Sequence, residues 1–255
     1  MESKNIPNKN MKSNSLLKIP IEEARQHLKK MSPEQRMEWG YEQFGENFTL
    51  TTSFGIQSCV LLNMLSQIKA AKKIKVIWVD TGYLPTETYQ YAELLTEKLH
   101  LNLKIVQSEM SPARMEALEG QLWKNNSVKD IEKYHLIRKV TPLEKALEDL
   151  RVKCWASGVR GGQTKHRGTM TLLDHIRNRL SLRPILEWSP KDIFYYMEKN
   201  NLPHHPLFDQ GYSTVGDWHS SAPDGPQSMG RDTRFGGLKQ ECGIHISNET
   251  EGIPN

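Results

Sequence analysis

The sequence predicts an α/β protein built on an open, mostly parallel sheet with helices on both faces, and three observations carry that prediction. Short apolar, β-prone runs alternate with amphipathic stretches of helix length from Phe48 onward. Serine or threonine followed by proline marks helix starts at several of the intervening positions. A chain of 255 residues also buries roughly 70–75% of its unfolded surface, enough for a large core without disulfide support.

The first 17 residues are rich in Lys, Asn and Ser without periodicity, and read as a tail outside the core. Ser32-Pro33-Glu34-Gln35 gives cap, proline and capping-box glutamine in helix-start order, and Gly45 supplies the stop. Strands follow at Phe48–Ser53, Ile74–Asp80 and Leu103–Val106, with helices at Gln57–Ile68, Thr86–Leu99, Pro112–Glu119 and Lys129–His135. Thr141-Pro142-Leu143-Glu144 reads as a new capping box opening a helix to about Leu150, and Val152–Ser157 as the next strand. Thr169–Leu180 fits either a helix or a hairpin arm, Ile185–Trp188 after Arg183-Pro184 reads as a strand, and Ser189-Pro190-Lys191-Asp192 starts a helix to Asn200. These elements make a nucleotide-binding α/β domain over residues 18–201. From Leu202 to Asn255 the periodicity stops while Gly, Pro, His and Asp become frequent, a long irregular segment of the kind that serves function or stays disordered.

Hydrophobic residues make up 37% and charged residues 25% of the chain, a balance that excludes wholesale disorder. With 34 Lys+Arg against 30 Asp+Glu, the net charge of +4 calls for neither nucleic acid nor a membrane surface. No apolar run reaches the ~20 residues of a membrane span, and Met1–Asn14 is too polar for a secretory signal, so a cytoplasmic location is expected. Cys59, Cys154 and Cys242 are an odd number at wide spacings, without the CxxC or Cys/His clustering of a metal site.

Four segments carry candidate chemistry. Thr51–Ser58 turns from strand to helix with small and hydroxylated residues, so Ser53, Gly55, Gln57 and Ser58 suit an anion at a helix N-terminus; an ordinary capped βα turn is an equal account. The loop lacks GK[ST] and GxGxxG. Asp80, Thr81 and Gly82 end the most hydrophobic strand, where ligands of open α/β sheets collect, and Asp80 equally suits a helix cap. Ser157–Arg167 sets Gly158, Gly161 and Gln163 beside Arg160, Lys165 and Arg167, a flexible loop with fixed cations for phosphate or sulfate, a plain solvated basic loop being the lesser account; Arg138-Lys139 adds a basic pair that an exposed helix end explains more readily. In the irregular segment, Cys242 lies in a polar run with Arg231, Arg234, Lys239 and His245, where cations favour a reactive thiolate although Glu241 opposes them. Cys59 and Cys154 sit in apolar surroundings and read as core residues.

Together these segments resemble the phosphoadenylyl-sulfate (PAPS) reductase family, whose members share an adenine-nucleotide α-hydrolase fold of the PP-loop type. The resemblance rests on SFGIQS at Ser53–Ser58, WVDTGYLPTETY at Trp78–Tyr89, IRKVTPL at Ile137–Leu143, SGVRGGQ at Ser157–Gln163, HPLFDQGYSTVGDWHS at His205–Ser220 and KQECGIH at Lys239–His245. It implies that Cys242 attacks the sulfur of PAPS to give a thiosulfonate, from which thioredoxin or glutaredoxin releases sulfite in assimilatory sulfate reduction. It implies no bound flavin, haem or nicotinamide, and a homodimer. Members that use adenylyl sulfate (APS) carry a four-iron cluster on a Cys-Cys pair and a CxxC; here those positions are Tyr134-His135 and Asp217-Trp218-His219-Ser220, so the chain resembles the cluster-free branch. The 3′-phosphate of PAPS calls for extra cations, for which Arg160, Lys165, Arg167, Arg138 and Lys139 are candidates, while Arg231, Arg234 and Lys239 accompany the tail. His245 helps the thiolate form or positions the tail. Rival readings are a cluster-free APS reductase, a PP-loop adenylyltransferase, which typically shows SGGxDS and needs no tail cysteine, and a nucleotide-binding regulatory module, which needs no nucleophile.

Overall fold

The computed structural model describes residues 16–226 and 228–245. Its centre is a six-stranded sheet of order β3-β2-β1-β4-β6-β5, formed by β1 (Phe48–Thr52), β2 (Lys75–Val79), β3 (Leu103–Val106), β4 (Cys154–Ser157), β5 (Leu173–Ile176) and β6 (Arg179–Leu182). Neighbours pair in parallel, except that β5 and β6 form an antiparallel hairpin at one edge. The strand period of two separates the faces. Leu50, Val76, Trp78, Cys154, Ala156, Leu180 and Leu182 face the larger core, with α1 (Ile21–Lys29), α2 (Pro33–Phe44), α3 (Ser58–Gln67), α4 (Thr86–Leu99) and α9 (Pro190–Lys199). Ile77 and Trp155 face a smaller core under α7 (Thr141–Asp149), where Leu143, Ala146 and Leu147 cover them. Helices α5 (Pro112–Glu119) and α6 (Val128–His135) and the single turn α8 (Lys165–Gly168) border the carboxyl ends of the strands. The capping boxes predicted at Ser32 and Ser189 are both formed. Where α2 crosses β1, a methyl group on Gly40 would stand 2.6 Å from the Phe48 ring, so the close approach requires glycine.

Three expectations are corrected and one open reading is settled: Thr169–Leu180, which fitted a helix or a hairpin arm, carries β5 and the start of β6 as a hairpin. Ile185–Trp188 is a pair of turns rather than a strand: Pro184 offers no N–H to a ladder, and Leu186 and Trp188 instead donate back to Arg183 and Ile185. The edge strands come from the hairpin, whose two-residue turn Arg177-Asn178 has both φ angles positive, a primed turn without the usual glycine. Thr141 does not cap a new helix, because α6 runs into α7 through a π-turn at Leu136–Val140; the shifted hydrogen-bond ladder accommodates Pro142. At the N-terminus, Leu17 is buried in the core and Leu16 packs against it, and α1 follows without a side-chain cap to announce it; the rest of the predicted tail, residues 1–15, lies outside the described residues. Beyond α9 the described residues hold no α-helix or ladder strand, but 3₁₀ turns at Trp218–Ser220 and over Gly230–Gly237, other turns and one isolated bridge, Gly225 to Ser228.

Candidate functional site

At the carboxyl ends of β1, β2 and β4, where parallel strands splay their following loops apart, a cleft of about 240 Å³ opens. Ser53, Gly55, Gln57, Ser58, Thr81, Lys139, Gly158, Arg160, Gln163, Arg231, Arg234, Cys242 and His245 all line it. Arg167 lines it too, whereas Lys165 is exposed outside it. The turn after β1 is pinned by Phe54, whose left-handed backbone (φ 47°) carries a fully buried ring against Trp78. That leaves the backbone of Gly55 and the hydroxyl-bearing start of α3 facing the cleft, and the Ser58 hydroxyl donates to the Gly55 carbonyl at 2.7 Å.

Asp80, Gly82, Arg138, Gly161 and Lys239 lie outside the cleft lining. The Asp80 carboxylate accepts from the Gly82 N–H (2.8 Å), the Tyr89 hydroxyl (2.6 Å) and the Gln107 amide (2.6 Å), so its oxygens are engaged in fixing the loop after β2. Arg138 donates to the Thr81 and Met110 carbonyls, Gly161 donates to the Leu186 carbonyl at 2.7 Å, and Lys239 pairs with Glu132 at 2.6 Å. The π-turn presents Arg138 to the loop after β2 and its neighbour Lys139 to the cleft.

The segment around Cys242 is held by charge. Glu241 is buried and accepts from Arg167 at both oxygens (2.8 and 2.9 Å) and from the Thr164 hydroxyl at 2.9 Å. Burial alone would raise its carboxyl pKa, but Arg167 and Arg231 reverse this and hold it below the usual range. Arg231 donates to the Gln240 carbonyl, and Arg177 to those of Gly243 and Ile244. Arg177, Arg231 and Arg234 all lie within electrostatic reach of the half-buried Cys242 sulfur. Burial pushes Arg160 and Arg231 each down to about 10, still charged at neutral pH. His245 has a buried Nδ1 without a partner; burial, and then Arg167, Arg183, Arg231 and Arg177, depress its pKa well below the ordinary value, so it stays neutral. Cys59 and Cys154 are fully buried, and desolvation raises both thiols.

Sequence reasoning carried Ser213-Thr214-Val215-Gly216 within a resemblance motif but named none of it as a site residue; the run lines the cleft beside Gly55, and a small, hydroxylated run ending in glycine is the signal that marks it. It also passed over Asp217 as more than a missing metal ligand. Tyr134, His135, Asp217 and Ser220, which the resemblance sets at the cluster-cysteine positions of the APS-using members, meet in space. The Tyr134 hydroxyl is 3.1 Å from His219 Nε2, His219 stacks on Trp123 at 4.0 Å, and Phe235 packs on His135. These side chains supply no thiolate, so an iron–sulfur cluster does not fit them.

Residues 47–223 match the family described as the phosphoadenosine phosphosulfate reductase domain. The chain is 51% identical over 227 residues to the phosphoadenosine 5′-phosphosulfate reductase of Synechococcus sp., spanning 89% of this chain and 97% of that protein. It is 46% identical over 235 residues to the like-named protein of Synechocystis sp. (92% and 94%) and 41% identical over 227 residues to that of Vibrio cholerae (89% and 88%). Among solved structures, the phosphoadenylyl-sulfate (PAPS) reductase from Candida auris superposes with a TM-score of 0.68 at 24% identity, over 79% of this chain and 96% of that one. Candida glabrata FMN adenylyltransferase follows with a TM-score of 0.56 at 14% identity, over 84% and 72%. These two structural likenesses speak to the PP-loop-like α/β fold.

Proposed function

The chain belongs to the phosphoadenosine phosphosulfate reductase family, and from that premise we propose that it reduces PAPS to sulfite through a thiosulfonate on Cys242. The observation that carries the reading is the placement of the half-buried Cys242 among guanidinium groups in the lining of the cleft that the hydroxylated β1 turn also lines. The nucleotide lies along the β1 turn and the β4 loop, with its phosphates facing Arg160, Lys139 and the N-terminus of α3. The Cys242 thiolate attacks the sulfonyl sulfur; the bond from sulfur to the bridging phosphate oxygen breaks, and adenosine 3′,5′-bisphosphate leaves with the electron pair. Arg231 and Arg234 offset the charge that gathers on the sulfonyl and bridging oxygens.

A dithiol protein of the thioredoxin or glutaredoxin class then attacks Cys242 Sγ, expelling sulfite and leaving a mixed disulfide. Its second thiol resolves that bond, so the donor ends oxidised and Cys242 returns to the thiolate. His245, whose basicity is lowered by burial and the surrounding arginines, suits holding the tail in place better than taking the thiol proton. A reducing cytoplasm suits this exchange, sulfate assimilation is the process it serves, and the homodimer is carried over from the family resemblance. The test is sulfite release with a dithiol donor, from PAPS and separately from APS. The reading predicts turnover of PAPS in preference to APS, and its loss in Cys242→Ser with nucleotide binding retained. Full sulfite release by Cys242→Ser would overturn it.

A further inference from the structure

Asp217 is fully buried. Its Oδ1 accepts from the Thr81 hydroxyl at 2.6 Å and its Oδ2 lies 2.5 Å from Lys139 Nζ. The Arg234 guanidinium is close enough to interact electrostatically with it, and the buried Tyr134 hydroxyl lies within electrostatic reach of it. Thr81, Lys139 and Arg234 all line the cleft, and they arrive from three separate segments: the loop after β2, the π-turn and the last 3₁₀ turn. Isolated charges in such surroundings are expelled or neutralised, whereas a carboxylate with opposite charges and a hydroxyl donor around it is retained. Burial works against the charged form of Asp217, but Lys139, Arg234 and Thr81 overcome it and hold the carboxyl well below its usual range. The tie is therefore ionic throughout the neutral range.

Resting on the reading of this cleft as the sulfonucleotide site, we propose that Asp217 is a positioning residue for sulfonyl transfer: one buried carboxylate fixes Lys139 toward the reacting anion, beside Arg234. Charge and position make opposite predictions here. Two cations and one carboxylate leave the group with one net positive charge, and removing the carboxylate leaves two. If net charge alone mattered, Asp217→Asn would bind an anionic nucleotide more tightly and react no more slowly. If position matters, the same change leaves nucleotide affinity level or improved while the transfer step slows.

The experiment compares wild type and Asp217→Asn for the dissociation constant of adenosine 3′,5′-bisphosphate, the melting temperature, and the single-turnover rate of SO3 transfer to Cys242 from PAPS. The expected result is a loss of about tenfold or more in the transfer rate, with nucleotide affinity within about threefold of wild type or tighter. In a Lys139→Gln background the same substitution should cost much less, because the group it holds is gone. A transfer rate within about twofold of wild type, or a deficit that appears only in melting temperature, overturns the proposal. Should Asp217→Asn not fold, Thr81→Val decides: a slower transfer at unchanged nucleotide affinity supports the positioning role, and an unchanged rate rejects it. Wild-type protein that never acquires SO3 would instead refute the reductase reading itself.

Discussion

Replacing Gly216 by alanine tests whether the position of Arg234 sets the rate. The added Cβ would stand 2.2 Å from both terminal nitrogens of Arg234 and 2.5 Å from its central carbon, so the guanidinium must shift by about 1 Å or more to regain contact distance. Gly216 is outside the left-handed region, and alanine therefore meets no backbone penalty of its own. The shift breaks the 2.9 Å hydrogen bond from Arg234 to the Ser221 hydroxyl and moves the charge away from Asp217. A hydrogen bond to a charged group is worth about 1.5–3 kcal/mol, which corresponds to a fall in kcat/KM of about 10- to 150-fold. The assay is sulfite release from PAPS, alongside a melting curve. Gly225→Ala is the control, because nothing lies within 4 Å of its Cβ and it should match wild type in both measurements. If folded Gly216→Ala keeps kcat/KM within about threefold of wild type, Arg234 is not positioned as argued.

Acid should weaken the fold through His205, which is fully buried, receives the Leu207 N–H on Nδ1 and sits 3.1 Å from the Thr88 hydroxyl through Nε2. Burial pushes its pKa down to about 4, so between there and 6.5 the unfolded chain binds the proton that the folded one refuses. Stability is then complete above about pH 6.5 and falls by about 3 kcal/mol on reaching pH 4, visible in urea unfolding midpoints; a midpoint unchanged between pH 7 and 4.5 would contradict this. Brief alkylation of the native, reduced protein should modify Cys242 alone, because Cys59 and Cys154 are buried with raised thiols, and peptide mapping that finds either of those first would refute their placement. Glu241→Gln removes the charge clasped by Arg167 and should loosen the tail by about 2 kcal/mol, seen as faster proteolysis near Cys242 and slower thiosulfonate formation; unchanged values for both would show that the clasp is dispensable.

Much of this architecture was legible because local and global signals agreed. At β1, β2, β3 and β4, short apolar runs lay between capped amphipathic helices, so periodicity sufficed. The failures have local causes. Ile185–Trp188 has the apolarity of a strand, but its backbone is committed to turns by Pro184. The Arg177-Asn178 hairpin turn carries no glycine to announce it. Thr141-Pro142 has the residues of a helix start, yet tertiary packing carries α6 straight through it as a π-turn. In the cleft, the β1 turn, the β4 loop and the cysteine segment were visible as chemistry, since glycine, hydroxyls and cations clustered in each. Whether a given polar residue faces the cleft or braces a loop depends on partners far away in sequence. Asp80 is bound up with Tyr89 and Gln107, and Arg138 with the Thr81 and Met110 carbonyls, while Asp217 acquires its role from Thr81 and Lys139.

The central claim is a covalent sulfonyl group on Cys242, and intact-protein mass spectrometry tests it most directly. Reduced protein is incubated with PAPS, and separately with APS, without any thiol reductant. The account predicts a gain of one SO3 group with PAPS, mapped to Cys242 and removed by a dithiol donor as sulfite. Folded, nucleotide-binding protein that gains no such mass, or gains it on another residue, would contradict it.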